Sequence, residues 1–364
     1  MKVKDVLFMS RGVGESSYSR TSTYPQKIAL LTRPVVTSAV RSLLLEQAFP
    51  SSGLFNVADL GCATGPCTFV FMSTVIDAVL GLCQESGSGV PEFQFYLNDL
   101  FGNDFNSLFQ GLSSFCSDNG GLSCFVMGTP GSFHGRLFPQ NSLHLVHSSY
   151  SVHWLSKFPD LTSKEGLPLN KGKIYMSETS PPAVKEAYLA QFIADFSSFL
   201  SLRSHEMMID GRLVLILHGR RSGDSAGSKE SSYSWEFLAK AIESLVSEGE
   251  VSEEKLDTLN IPYYTASPEE VSSIVEAEGS FAVESMETLV VEAGGGSEGE
   301  DPWDRGRKLA NHMRSFTGSI IAHHFGEEIM DQLYGLKLPH LLGNDLATGY
   351  QRKGVSIVMV LKKK

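Results

Sequence analysis

Residues 57–66, VADLGCATGP, end an apolar run on an acidic side chain, Asp59, followed by a turn of the form Gly61-x-x-x-Gly65. A turn of this kind feeds a helix and offers a nucleotide-like ligand both backbone N–H groups and the helix N-terminus. The dinucleotide pattern G-x-G-x-x-G is not met, because Ala63 stands where its second glycine belongs. An acidic residue just before the first glycine fits an S-adenosylmethionine loop better, with Asp59 facing the cationic amino-acid end of that ligand. A strand-to-helix turn that holds nothing would read the same way.

A second apolar run ends on Asn98-Asp99, where a carboxylate can accept both ribose hydroxyls. The bland alternative is a helix N-cap for the segment that follows. A third ends in Gly131-Ser132-Phe133, a hydroxyl and an aromatic face that suit an adenine ring, although Phe133 alone reads equally as core.

The elements that must position these residues follow from apolar runs at 55–61, 93–99, 122–131, 143–151 and 211–220, which read as buried parallel strands. The stretch TFVFMSTVIDAVLGLCQES reads as a helix between the first two, so strand, helix and strand alternate as in a doubly wound α/β core. Runs at 280–293 and 354–363 alternate more and predict antiparallel edge strands. Helical spacing over 231–275 and 302–345 predicts a cap above the sheet edge. The Gly/Ser-rich segments 222–232 and 293–301 read as connectors near the cap hinge. The domain expectation is a core with an N-terminal lid segment over 1–225, a helical cap from 226–279 and 302–345, and closing strands in 280–301 and 346–364.

Composition narrows the function classes. With 364 residues, 42% apolar and 20% charged, the chain affords a large core and fits neither disorder nor a coiled coil. Its formal charge of −11 and the lack of a basic run beyond Lys362-Lys363-Lys364 argue against nucleic acid as a partner. Cys62, Cys67, Cys83, Cys116 and Cys124 match neither a zinc site nor a disulfide framework. No uninterrupted apolar run reaches membrane-spanning length and the N-terminus lacks a signal-type core, so a cytoplasmic location without membrane attachment is expected.

Longer motifs then resemble a known family. GVGESSYSRTS, ADLGCATGP, FYLNDLFGNDFNSLF, GTPGSFHGRLFP, HSSYSVHWLS, GKIYMSETSPP, LNIPYYTASPEEV, HMRSF and HFGEEI occur in order over nearly the whole chain. This order is similar to the plant SABATH methyltransferases, which transfer a methyl group from S-adenosylmethionine to small carboxylic acids or to purine alkaloids. The resemblance implies a Rossmann-like class I methyltransferase sheet with an α-helical cap, and a homodimer. It assigns the cofactor to Tyr18, Ser22, Asp59, Gly61, Asp99, Leu100, Ser132 and Phe133. It assigns the acceptor to Tyr150, Trp154, Ser234, Trp235, Tyr264, Met313 and Phe316, with the Trp154 indole N–H donating to a substrate carboxylate. For some relatives it implies Mg²⁺, here at Glu178, Asp257, the Leu259 carbonyl and Asn260, whose oxygens suit a hard cation.

This sequence departs from the family at three places. Pro25 stands where many carboxyl methyltransferases have Gln, with Gln26 beside it as a displaced substitute. His153 precedes Trp154 where salicylate-type enzymes have Met, and can donate to an acceptor, act as base or fill space. Gly354 replaces a bulky residue and predicts a roomier pocket. The expected reaction is methyl esterification of a small carboxylate, oriented by Trp154 and Gln26. The alternative is S- or N-methylation of a thiol or purine-like acceptor, for which His153 becomes useful. A nicotinamide oxidoreductase would share the turn but not the G-x-x-x-G spacing, and a non-catalytic receptor would have no need of both Asp59 and Asp99.

Overall fold

The computed structural model describes residues 2–46, 53–118, 123–293, 299–349 and 351–364. Seven strands form one sheet: β1 (Leu54–Leu60), β2 (Glu92–Asp99), β3 (Cys124–Pro130), β4 (Leu143–Ser149), β5 (Met207–Gly219), β6 (Phe281–Glu292) and β7 (Lys353–Lys363). Their spatial order is β3-β2-β1-β4-β5-β7-β6. β1 to β5 are parallel, whereas β7 is antiparallel to both β5 and β6. The chain reverses its direction of strand addition between β1 and β4, and the crevice at such a switch point is where open α/β sheets bind ligands.

Period-two alternation puts β1 in two cores at once. Phe55 and Val57 join the apolar cluster with the helices Arg33–Glu46 and Pro66–Ser86, while Ala58 and Leu60 join the larger cluster on the opposite face. That larger cluster runs without a break from Leu213 and Leu215 of β5 through Trp235 to Met313 and Tyr334 of the cap helices. Helix Pro66–Ser86 starts on Pro66 and stops where Gly87 takes φ +68, a left-handed cap. Long and apolar enough to span a bilayer by composition, it packs here on the sheet through Phe71, Met72, Val75 and Val79. Helix Pro302–Phe325 starts where the Asp301 carboxylate accepts from the Trp303 and Asp304 amides.

Several expectations need correction. β3 is an edge strand with alternating exposure rather than a buried one, and Phe125 and Met127 on it are half exposed. β7 is antiparallel as expected but lies inside the sheet, almost wholly buried between β5 and β6. The 222–232 connector already turns helical at Lys229. The 293–301 connector falls mainly on 294–298, outside the described residues, as does the Cys116 side chain.

Candidate active site

The carboxyl ends of β1, β2 and β3 lie side by side next to the switch point, where this kind of sheet places its ligand cleft. Gly61 follows β1 at φ +77, and a Cβ there would lie 2.0 Å from Ser151 Oγ, so no larger residue fits. Its amide and that of Cys62 both donate to the Asn98 carbonyl at 2.8 and 2.9 Å, which fastens the turn to the end of β2. Asn98 in turn donates through Nδ2 to the Thr129 and Gly131 carbonyls, which fixes the start of the 131–133 segment.

Asp99 ends β2 between these pieces. Oδ2 accepts from the Ala63 amide and Oδ1 from the Leu100 amide, both at 2.7 Å. Loss of water around it pushes its pKa up to about 6 against the pull of those two amides. Each oxygen keeps a second lone pair, which suits a diol that donates twice. Ser132 Oγ accepts from the His134 amide, and Phe133 stands edge-on to Phe199 at 5.9 Å. Tyr18 and Ser22 pack beside Gly65, and burial raises the Tyr18 phenol well above its ordinary range.

Asp59 is used differently from the expectation. It pairs in register with His147 of β4, whose Nδ1 lies 2.8 Å from Oδ1, while Thr68 Oγ1 donates to Oδ2 at 2.5 Å. The carboxylate is 4% exposed, so it ties the turn to the core instead of standing open to a ligand.

Beside this cleft lies a cavity of about 990 Å³. Tyr150, Trp154, Ser234, Met313 and Phe316 line it, as the resemblance implies, and so do Tyr18, which the resemblance gives to the cofactor, and His153, a departure from the family. Tyr150 takes φ +54 at the end of β4, a strained geometry of the kind concentrated at functional sites. Among the described residues no acceptor takes the Trp154 indole N–H, and the ring is held by Tyr263 at 5.0 Å and Phe316 at 6.3 Å.

His153 has a defined tautomer. The His218 amide donates to its Nδ1 at 3.1 Å, so Nδ1 carries no proton and the neutral ring carries it on Nε2. Burial and the neighbouring His218 hold the pKa well below the usual imidazole value. The ring is therefore a donor and not a base.

Other assignments fail. Gln26 points back into its own segment, donating to Ser22 Oγ and the Ser19 carbonyl, and it is Pro25 that lines the cavity. Tyr264 faces away, stacked on Phe192 at 4.9 Å and donating to Glu270; its neighbour Tyr263 forms the wall. Trp235 lies behind the lining, against Tyr175 and Tyr263. Gly354 does not enlarge the pocket, because Tyr24 fills the space: a Cβ would sit 2.3 Å from its hydroxyl.

The implied Mg²⁺ positions do not fit a cation site. The Asp257 carboxylate accepts from the Gly172 amide at 2.7 Å and Glu178 from the Lys229 amide at 3.3 Å, although Asn260 Oδ1 is buried without a partner. Among the described residues no three His, Cys, Asp or Glu side chains converge.

Tyr24, His218, Tyr263 and His312 also line the cavity, and sequence reading passed over them. His218 had a signal, since it is polar at the carboxyl end of a buried strand. Tyr263 and His312 are direct neighbours of residues that were singled out.

Sheet order, switch-point cleft and adjoining cavity define a Rossmann-like methyltransferase of the S-adenosylmethionine-dependent class. The chain belongs to the SABATH family, and the family model described as SAM dependent carboxyl methyltransferase matches residues 4–364. Two relatives are each 52% identical over all of this chain: "Probable 7-methylxanthine methyltransferase 2" of Theobroma cacao, 98% covered, and a 3,7-dimethylxanthine N-methyltransferase of Camellia sinensis var. assamica, 97% covered. The solved structure of loganic acid methyltransferase with SAH superposes with a TM-score of 0.84 at 30% identity, covering 98% of both chains.

Proposed function

We propose that this protein is an N-methyltransferase whose acceptor is a purine of the xanthine type. The observation that carries the reading is the fixed tautomer of His153, which leaves Nε2–H as the ring's donor on a residue that lines the cavity together with Trp154, the two ring centroids 6.2 Å apart. Neutral donors in an aromatic wall suit the carbonyl oxygens of a flat heterocycle. The carboxylate expectation needed a side-chain amide opposite Trp154, and Pro25 has none, while Gln26 is turned away. The xanthine activities in the names of the 52% identical relatives point the same way.

When bound, S-adenosylmethionine supplies an electrophilic sulfonium methyl: a nitrogen–carbon bond forms as the carbon–sulfur bond breaks, and S-adenosylhomocysteine leaves. The protein's part is alignment and exclusion of water. Asp99 accepts the ribose hydroxyls, Gly61 lets the cofactor approach the turn, and Phe133 borders the adenine. His153 and Trp154 donate to acceptor oxygens and stabilise the charge on a ring whose N–H proton has been lost to bulk solvent before the pocket closes. Tyr150, Tyr263 and Phe316 hold the ring plane. The homodimer belongs to the same proposal, on the family resemblance.

The test incubates the protein with methyl-labelled S-adenosylmethionine and a panel of xanthines, carboxylic acids and thiols, then treats the products with mild base. Base-stable label on a xanthine is the expected result. Volatile label released from an acid, with none on any purine, would establish ester formation and overturn the reading.

A further inference from the structure

His218 stands at the carboxyl end of β5, and its backbone and ring do different work. The amide fixes the tautomer of His153. The ring lines the same cavity, its centroid 6.3 Å from that of His153 and 6.0 Å from that of Tyr263. Its Nδ1 lies 2.8 Å from the Tyr263 hydroxyl oxygen. Among the described residues this is the hydroxyl's one hydrogen bond, so a proton on Nδ1 would leave the phenol hydrogen of a buried tyrosine without a protein acceptor. The phenol therefore donates to Nδ1, and the ring carries its own proton on Nε2. Nε2 has no partner among the described residues, and unlike Nδ1 of His134 or of His312 it is not closed off from the cavity. Burial, and then the charge of Arg352, push the pKa down to about 3, so the ring is neutral at neutral pH.

We infer that His218 is a third hydrogen-bond donor of the acceptor pocket, whose Nε2–H, held in that tautomer by Tyr263, meets an accepting atom that His153 and Trp154 leave over. The inference rests on the purine reading. A 7-methylxanthine ring has three such atoms, its two carbonyl oxygens and the bare nitrogen of the five-membered ring, which matches three neutral donors. A carboxylate has two oxygens on one carbon and leaves a donor unmatched. The donors also come from two elements: His153 and Trp154 follow β4, whereas His218 ends β5, so they approach the ring from more than one side. Tyr263 is then a positioning residue as well as part of the wall, since its hydroxyl acts on the acceptor through the imidazole.

The experiment measures kcat and KM of the full chain for 7-methylxanthine. His218→Leu keeps the backbone amide, and with it the tautomer of His153, but removes the donor. Its KM should rise about 3- to 10-fold, the worth of one neutral hydrogen bond, while the affinity for S-adenosylhomocysteine stays unchanged. His218→Gln returns an amide N–H near the Nε2 position and should recover part of the loss. Tyr263→Phe keeps the ring and should raise KM less, with no further effect in the His218→Leu background. Stabilisation by S-adenosylhomocysteine in a thermal-shift assay shows which variants are folded. A folded His218→Leu whose KM stays within about twofold of the wild type overturns the inference, and so does a folded His218→Gln no better than His218→Leu. Long-range proton–nitrogen correlation spectra of the wild type, labelled in its histidines, need no variant: a proton on Nδ1 of His218 overturns the inference even if the substitutions prevent folding. A wild type that methylates an acid and no xanthine takes down the purine reading and this inference together, whereas methylation of 7-methylxanthine with His218→Leu unaffected takes down this inference alone.

Discussion

Asp99 shows how one side chain can report on the cofactor. Burial lifts its pKa to about 6, so the folded chain keeps this proton to higher pH than the unfolded chain does. Its contribution to stability is therefore full below the ordinary value of 3.8 and is lost as pH climbs toward 6. Ligand binding has the opposite sign, because ribose hydroxyls donate to the ionised carboxylate. Affinity for S-adenosylhomocysteine should rise close to tenfold per pH unit below about 6 and level off above it. Asp99→Asn should remove the step and weaken binding roughly 10- to 100-fold at neutral pH, the usual worth of hydrogen bonds to a charged group. Titration calorimetry across pH 5–8 reads both; a wild-type affinity flat through pH 6 would sink the assignment.

At the scale of elements, the Phe133 side of the cleft depends on helix Pro182–Glu206, from which Arg203 and Glu206 reach out without any exposure. Arg203 donates to the Phe133 and Gly135 carbonyls at 3.0 and 2.9 Å, and Glu206 Oε1 accepts from the Leu137 and Phe138 amides. The ion pair between them, 2.8 Å at Arg203 Nε, braces the whole 133–138 loop. Arg203→Met leaves a buried carboxylate without its cation and should cost about 3–5 kcal/mol in chemical denaturation. Adding Glu206→Met should recover only part, since two loop amides then lose their acceptor. A loss below about 1 kcal/mol for the single variant would show that the brace is not needed.

That helix was invisible to sequence reading, whereas strands β1, β2 and β4 and the Gly61 turn were legible. The strands are continuous apolar runs ended by Gly, Asp or Asn, a local signal. The helix buries Asp195, Arg203 and Glu206 on the same face as Phe192, Phe196 and Phe199, which blurs the polar and apolar stripes that betray an amphipathic helix. The site divides likewise. Asp99 and Trp154 sit at strand ends that the pattern exposes, but whether Tyr263 or Tyr264 faces the cavity depends on a single bridge between Trp154 and Tyr263. A one-residue shift there reverses which ring points inward. The tautomer of His153 depends on an amide 65 positions away, beyond any local pattern.

Over the whole molecule, the cavity closes only because distant parts of the chain meet. The N-terminal segment docks on the cap helix where the Ser10 amide donates to the Ser315 carbonyl at 2.7 Å and Phe8 exchanges hydrogen bonds with Ser319 Oγ. It reaches the last strand at Tyr24, whose hydroxyl lies 3.3 Å from Ser356 Oγ, and Ser356 also bonds Tyr150. Gly354 permits that contact, so Gly354→Ala must displace the Tyr24 ring, and the open direction is the cavity. The acceptor KM should rise about tenfold, the kinetic equivalent of the 1–3 kcal/mol that overpacking typically costs. Affinity for S-adenosylhomocysteine should change little, because neither residue touches the ends of β1 to β3. Pairing Gly354→Ala with Tyr24→Leu clears the clash and should return KM toward the wild-type value. Steady-state kinetics on the double variant decides the matter: if KM stays high after the ring is gone, Tyr24 is not what links the last strand to the acceptor pocket.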